Sequence, residues 1–282
     1  RLIKGWTVAD IEQPEASKVA VKWFESKLSA SINEINDLFS KYRLSEALMT
    51  VYRLFWDEFS AWYLEMVKPA YVDGKQEPID KTTYDATLRF FDALLKMLHP
   101  FMPFITEELW QHLYERKESE SIMRAELHIP EPNADEQKLV DTFEHVKEVV
   151  AGVRAVRNQK NIAPKVALEL DAIKQNLYEA YNSVITKIAN LKEIKVVDEK
   201  AADASAFMVG VDEFAVPVGD LIDVKAEIAK AEKELQHLEG FLTGVNKKLS
   251  NENFVSHAPE AVVARERKKK SDAEEKIAAL KA

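Results

Sequence analysis

The sequence predicts a mainly α-helical chain: an antiparallel helical bundle, then a small α/β unit, then a C-terminal antiparallel coiled-coil hairpin. Three observations predict this. Apolar residues recur at helical spacing over most of the 282 residues. Only seven glycines accompany 31% charged residues, a composition that favours long amphipathic helices over turn-rich sheet. In the last third, the apolar steps alternate by three and four through several heptads.

Taken in order, Val19, Trp23, Leu28, Ile35, Leu38 and Phe39 share one helical face between Pro14 and Tyr42. Pro14 and Glu15 suit its first turn, where a missing N–H costs little and a carboxylate meets the positive helix end. Ser45 offers a cap or break. The next helix carries Leu48, Val51, Phe55, Phe59, Trp62 and Met66 on one broad face and must stop before Pro69. PAYVDGKQEPID reads as a loop through Gly74 and Pro78.

Two further helices, about 83–98 and 104–118, meet in LHPFMPFITEELWQ. Pro100 pushes His99 out of helical geometry, whereas Pro103 fits the first turn of the following helix. The stretch is therefore a sharp corner. Phe101, Met102, Phe104 and Trp110 make it apolar, so it is expected to be wedged into a core. These helices define an expected bundle over residues 1–133.

SESIMRAELHIPEPNA loses the helical period and holds two prolines, which marks a boundary. Beyond it, Leu139, Phe143, Val146, Val150 and Val153 trace another amphipathic helix, and IAPKVALEL then alternates like a strand. Residues 176–191 return to a helical pattern. EIKVVD, AFMVGV and EFAVPV are short β-branched runs, the last two forming a hairpin around Gly210 to Glu213. Residues 134–220 are thus expected to form a connecting α/β domain.

The tail has the clearest pattern. Val224, Ile228, Ala231, Leu235, Leu238, Leu242, Val245 and Leu249 form an unbroken seam. NENFVSHAP interrupts it with turn residues, and a second helix follows from about Glu260 with Ala273, Ile277 and Leu280 as a weaker seam. A seam needs a partner, and the nearest is its own continuation, so residues 221–282 are expected to fold as an antiparallel arm. The rival solution is an intermolecular rod, a structural or oligomerisation module without a nucleic-acid role.

Charge is unevenly spread. The whole chain carries a formal −9, yet residues 221–282 hold 12 lysines and arginines against 11 acidic groups, a net of +1, leaving −10 for the rest. Within 245–270 seven basic residues face three acidic ones. Lys247 and Lys248 close the first tail helix, while Arg265, Arg267 and Lys268 to Lys270 open the second, so a hairpin would gather them near its tip. Such a cluster suits phosphates.

Other candidates read more plainly. His99 has no nucleophile or carboxylate constellation beside it in sequence and reads as a core or helix-end histidine. Trp56, Phe59, Trp62 and Tyr63 at helical spacing read as core before they read as a base-stacking platform. Arg154, Arg157 and Asn158, near a helix end, suit either a phosphate contact or a solvated cap. The absence of cysteine excludes disulfides and Cys-ligated zinc. No apolar run approaches the roughly 20 residues of a membrane span. RLIKGW has neither a methionine nor a signal-peptide design, so the chain is expected to be a fragment.

LRFFDALLKMLHPFMPFITEELWQ resembles the anticodon-binding helical domain of class I aminoacyl-tRNA synthetases of the valine, isoleucine and leucine subgroup. FSKYRLSEALMTVYRLFWDEFSAWYLEMVKPAY and VRAVRNQKNIAPKVAL are similar to the valyl-tRNA synthetases, and the stretch from VPVGDLIDVK to APEAVV resembles their C-terminal arm. ELHIP departs from the Trp-Pro often found there. The resemblance implies a cytoplasmic, monomeric partner of the tRNA for valine, with the bundle at the anticodon and the arm at the tRNA elbow. It also implies that ATP and Mg belong to the parent enzyme's catalytic part, since HIGH and KMSKS signatures do not occur in this sequence. No catalytic residue, cofactor or metal site is therefore expected here. For the arm, Lys247, Lys248, Asn253, Phe254, Arg265, Arg267 and Lys268 are the expected tRNA contacts. For the anticodon region they are Lys41, Arg43, Arg53, Lys68, Arg154 and Arg157.

Overall fold

The computed structural model describes residues 7–72, 75–131, 133–219, 224–250 and 260–281. It comprises two compact units, 1–217 and 218–282. It is mainly helical, as the sequence predicts.

In the first unit, α1 (Glu15–Ser40) supplies the central helix. It is followed by α2 (Leu44–Arg53), which continues without a break through a π-helical segment (Leu54–Tyr63) into α3 (Leu64–Val67). Rather than Ser45, the break is the turn at Lys41 to Arg43, where Tyr42 adopts a left-handed φ of 57°. Short strands β1 (Val8–Ala9) and β4 (Ile79–Asp80) pair in parallel, and β2 (Tyr71–Val72) with β3 (Lys75–Gln76) makes a small ladder inside the expected loop. Asp80 then caps α4 (Lys81–Leu98), accepting from the Thr83 N–H at 2.7 Å.

The core around α1 is aromatic. Trp23 stacks on Phe143 at 4.3 Å, and Phe24 sits within 5.0–5.2 Å of Phe59, Tyr63 and Phe90. Rings of this size dominate burial, and their offset contacts add to it. Tyr63 shares a 2.8 Å hydrogen bond with Thr87, and burial pushes its phenol well above the usual range.

At the proline corner α4 stops at Leu98 and α5 (Pro103–Gln111) starts on Pro103, as expected, but His99 keeps helical dihedrals (φ −55°, ψ −41°), its N–H still donating to the Leu95 carbonyl, instead of the extended geometry expected before Pro100. His99 Nδ1 and Thr106 Oγ1 lie 2.7 Å apart across it, so His99 serves the corner. The expected wedge is not found. Trp110 is buried, with Nε1 donating to Asp92 at 2.7 Å and the Arg116 guanidinium over its ring, but Phe104 is 91% exposed and Met102 half-exposed. The geometry explains why: Pro103 at the first position aims the opposite stripe, through Thr106 and Trp110, at α4. Arg116 Nε donates back to the Trp110 carbonyl, which ends this helix earlier than the pattern suggested.

Helix α6 (Ala134–Gln159) follows the proline-rich stretch and packs on α1 through Phe143. A sheet of order β6-β5-β8-β7 covers it, formed by β5 (Leu168–Ile173), β6 (Leu191–Val197), β7 (Ala204–Val209) and β8 (Asp212–Pro217). β5 and β6 run parallel across α7 (Asn182–Ala189), and β7–β8 is a tight hairpin whose Gly210 takes φ +59°. α6 lies so close to β7 that a Cβ on Gly152 would come within 2.2 Å of the Phe207 ring.

The second unit contains α8 (Val224–Leu249) and α9 (Glu260–Lys281), which pack against each other. Val245, Val263 and Ala273 are buried between them, and Leu238, Leu242 and Leu249 are partly covered. Burial near the end of α8 and near the start of α9 is the signature of a hairpin closing within one chain.

Candidate nucleic-acid interface

The arm's charge follows from its seam. Because Val245 and Leu249 face α9, the intervening Lys247 and Lys248 fall on the outside of the last turn, where cations also complement the helix dipole. On α9, Val263 and Ala273 face inward and Arg265, Arg267, Lys268 and Lys269 are exposed. Lys270 lies on the seam spacing and is half-buried. Lys247 and Lys248 thus sit where α8 ends, and Arg265, Arg267 and Lys268 within the first turns of α9, either side of the same connection. Asn253 and Phe254 lie outside the described residues.

The candidates of the first unit separate. Lys41 pairs with Asp37 at 2.7 Å, Arg43 with Glu46, and Lys68 with Glu65 at 3.4 Å, all on the surface. Arg53 donates to Thr50 Oγ1 at 3.3 Å. Arg154 is exposed, with its guanidinium 6.0 Å from the Trp62 ring and 3.4 Å from the Ile188 carbonyl. Trp56, unlike buried Phe59 and Tyr63, is 60% exposed, and Trp62 is half-buried.

Arg157 is used differently from either reading of its sequence position. Only 6% exposed, it donates to the carbonyls of Ala163 (3.0 Å), Val166 (2.7 Å), Ala189 (3.1 Å) and Asn190 (3.4 Å). Desolvation pulls its pKa downward. A guanidinium fits this task because its five fixed donors can satisfy several carbonyls at once. Sequence reasoning grouped it with Arg154 by spacing, but only the fold brings the 163–166 and 189–190 carbonyls around one of the two.

Another feature with no signal in local spacing is a charge cluster joining three elements. Lys147 reaches Glu58 at 2.6 Å and Glu144 at 2.9 Å, and Lys27 reaches Glu58 at 3.3 Å. Among the described residues no group of His, Asp and Glu is arranged to hold a metal, and no helix is long and apolar enough to cross a membrane.

A family model for the anticodon-binding domain of tRNA ligase matches residues 21–173, and one for the valyl tRNA synthetase tRNA binding arm matches residues 223–282. The chain belongs to the family of anticodon-binding domains of tRNA ligases. The chain is similar to the valine–tRNA ligases of Phocaeicola vulgatus, 58% identical over the whole chain, and Parabacteroides distasonis, 59% identical over 99% of it. More distant is that of Enterococcus faecalis, 32% identical over 99% of the chain. The chain spans about a third of the length of these valine–tRNA ligases, 31%, 31% and 32% respectively.

Proposed function

We propose that this chain is the tRNA-recognition region of a valine–tRNA ligase. Residues 1–133 form the anticodon-binding bundle, 134–220 a connecting α/β domain, and 221–282 an arm that grips the tRNA elbow. The observation that supports this reading is the pair of family matches, one over residues 21–173, which takes in the bundle together with α6 and β5, and one over residues 223–282. The parent enzyme joins valine to its tRNA with ATP and Mg and edits mischarged threonine, chemistry that lies outside these residues, so the chain alone is inactive. It acts as a cytoplasmic monomer.

The division of labour follows from the chemistry. Lys247, Lys248, Arg265, Arg267 and Lys268 supply charge to the phosphate backbone, and Asn253 and Phe254, between them in sequence, add uncharged contacts. Arg154 beside Trp62, together with Lys41, Arg43, Arg53 and Lys68, serves the anticodon stem. Titration of the chain with the tRNA for valine and with a tRNA for another amino acid tests the proposal. Tighter binding of the valine tRNA is expected; equal affinity, or none for either, would overturn it.

A further inference from the structure

The first unit is acidic, yet one stretch of it has no acidic side chain. Between Glu148 and Glu169 the sequence VVAGVRAVRNQKNIAPKVAL holds Arg154, Arg157, Lys160 and Lys165 and no Asp or Glu. Elsewhere in this unit several basic groups are neutralised: Lys27, Lys41, Lys81, Lys96, Lys147 and Lys195 each face a carboxylate within 4.0 Å. Lys160 and Lys165 enter no ion pair among the described residues. Lys165 is exposed and Lys160 half-exposed, with Asn158, Gln159 and Asn161 exposed around them.

This stretch is held from both sides. The Lys160 N–H donates to the Val156 carbonyl and the Ile162 N–H to the Arg157 carbonyl, both at 2.9 Å, while Asn161 takes a left-handed φ of 53° between them. The Val166 N–H closes a turn on Ala163 at 3.0 Å. From inside, Arg157 binds the Ala163 and Val166 carbonyls; from α7's end, Asn190 Nδ2 donates to the Pro164 carbonyl at 2.8 Å. Ile162 is buried as an apolar anchor. A loop ordered in advance presents its charges without paying for ordering on contact.

We infer that loop 158–166 is a further phosphate-binding surface for RNA, with Lys160 and Lys165 meeting the backbone and Arg157 as the positioning residue that holds them. The inference rests on the tRNA reading above. Backbone rather than base contact follows from composition: the loop has no aromatic ring to stack on a base, and lysine offers a point charge rather than a bidentate fork.

The test is a salt series of tRNA binding by the full 282-residue chain, comparing Lys160→Ala/Lys165→Ala with an arm variant, Lys247→Ala/Lys248→Ala. With about 0.7–0.9 units of log–log slope per phosphate contact, the loop variant should lose roughly 1.5 units and on the order of tenfold in affinity at low salt. Both lysines reach solvent, so melting should not change. Arg157→Gln should lower the slope by the same amount and add nothing when combined with the double variant. If the arm variant weakens binding but the loop variant leaves slope and affinity intact, the loop inference fails and the tRNA reading stands. A wild-type chain that binds no tRNA would overturn both.

Discussion

The two units hold their structure by opposite means. In the first, Trp23, Phe24, Phe59, Phe90 and Phe143 are fully buried around α1, and bases such as Lys41, Lys81 and Lys147 are matched to carboxylates. In the second, the buried side chains among the described residues are small, Val245, Val263 and Ala273, and exposed cations dominate both sides of the connection. The first is built to stay rigid, the second to carry charge on a thin seam. In the proposed tRNA-binding role, this contrast separates shape from charge.

Core truncation should break the contrast most sharply. Phe143→Ala removes the ring that stacks on Trp23 and meets Trp62 and Tyr181, so the first unit should lose about 3–5 kcal/mol in denaturant unfolding. Next comes Gly152→Ala: the added methyl must displace the Phe207 ring, and overpacking of this kind costs roughly 1–3 kcal/mol. In the arm, Val263→Ala should cost about 1 kcal/mol, visible as faster amide exchange confined to α8 and α9, with the first unit unaffected. At the small end, Phe104→Ser should change stability by less than about 0.5 kcal/mol despite replacing a phenylalanine beside the proline corner. A loss of several kcal/mol there would mean the ring is covered after all.

Phe104 also shows where sequence reasoning reached its limit. Helical period located α1, α4, α6 and both arm helices to within a few residues, because the apolar residues of each recur on one face. The β7–β8 hairpin was legible from its β-branched runs and Gly210. Which face of a short helix without a single apolar stripe turns inward was not. α5 has apolar residues on both sides, and the choice is made by Trp110 finding Asp92 and Arg116, partners 18 residues before it and 6 after it. Likewise Arg154 and Arg157 look equivalent on a helix, and only the carbonyls returned by the β5 loop and α7 bury one of them. The arm's cationic cluster was readable from composition, since a seam fixes which positions point away from it.

The central claim is that the arm supplies backbone attraction while the bundle supplies discrimination. It is tested most directly by replacing Lys247, Lys248, Arg265, Arg267 and Lys268 with alanine and measuring affinity for a valine tRNA and for another tRNA across a salt series. The account predicts weaker binding of both by a common factor, a preserved ratio between them, and a salt slope lower by roughly 3–4 units. A collapsed ratio with an unchanged slope would contradict it.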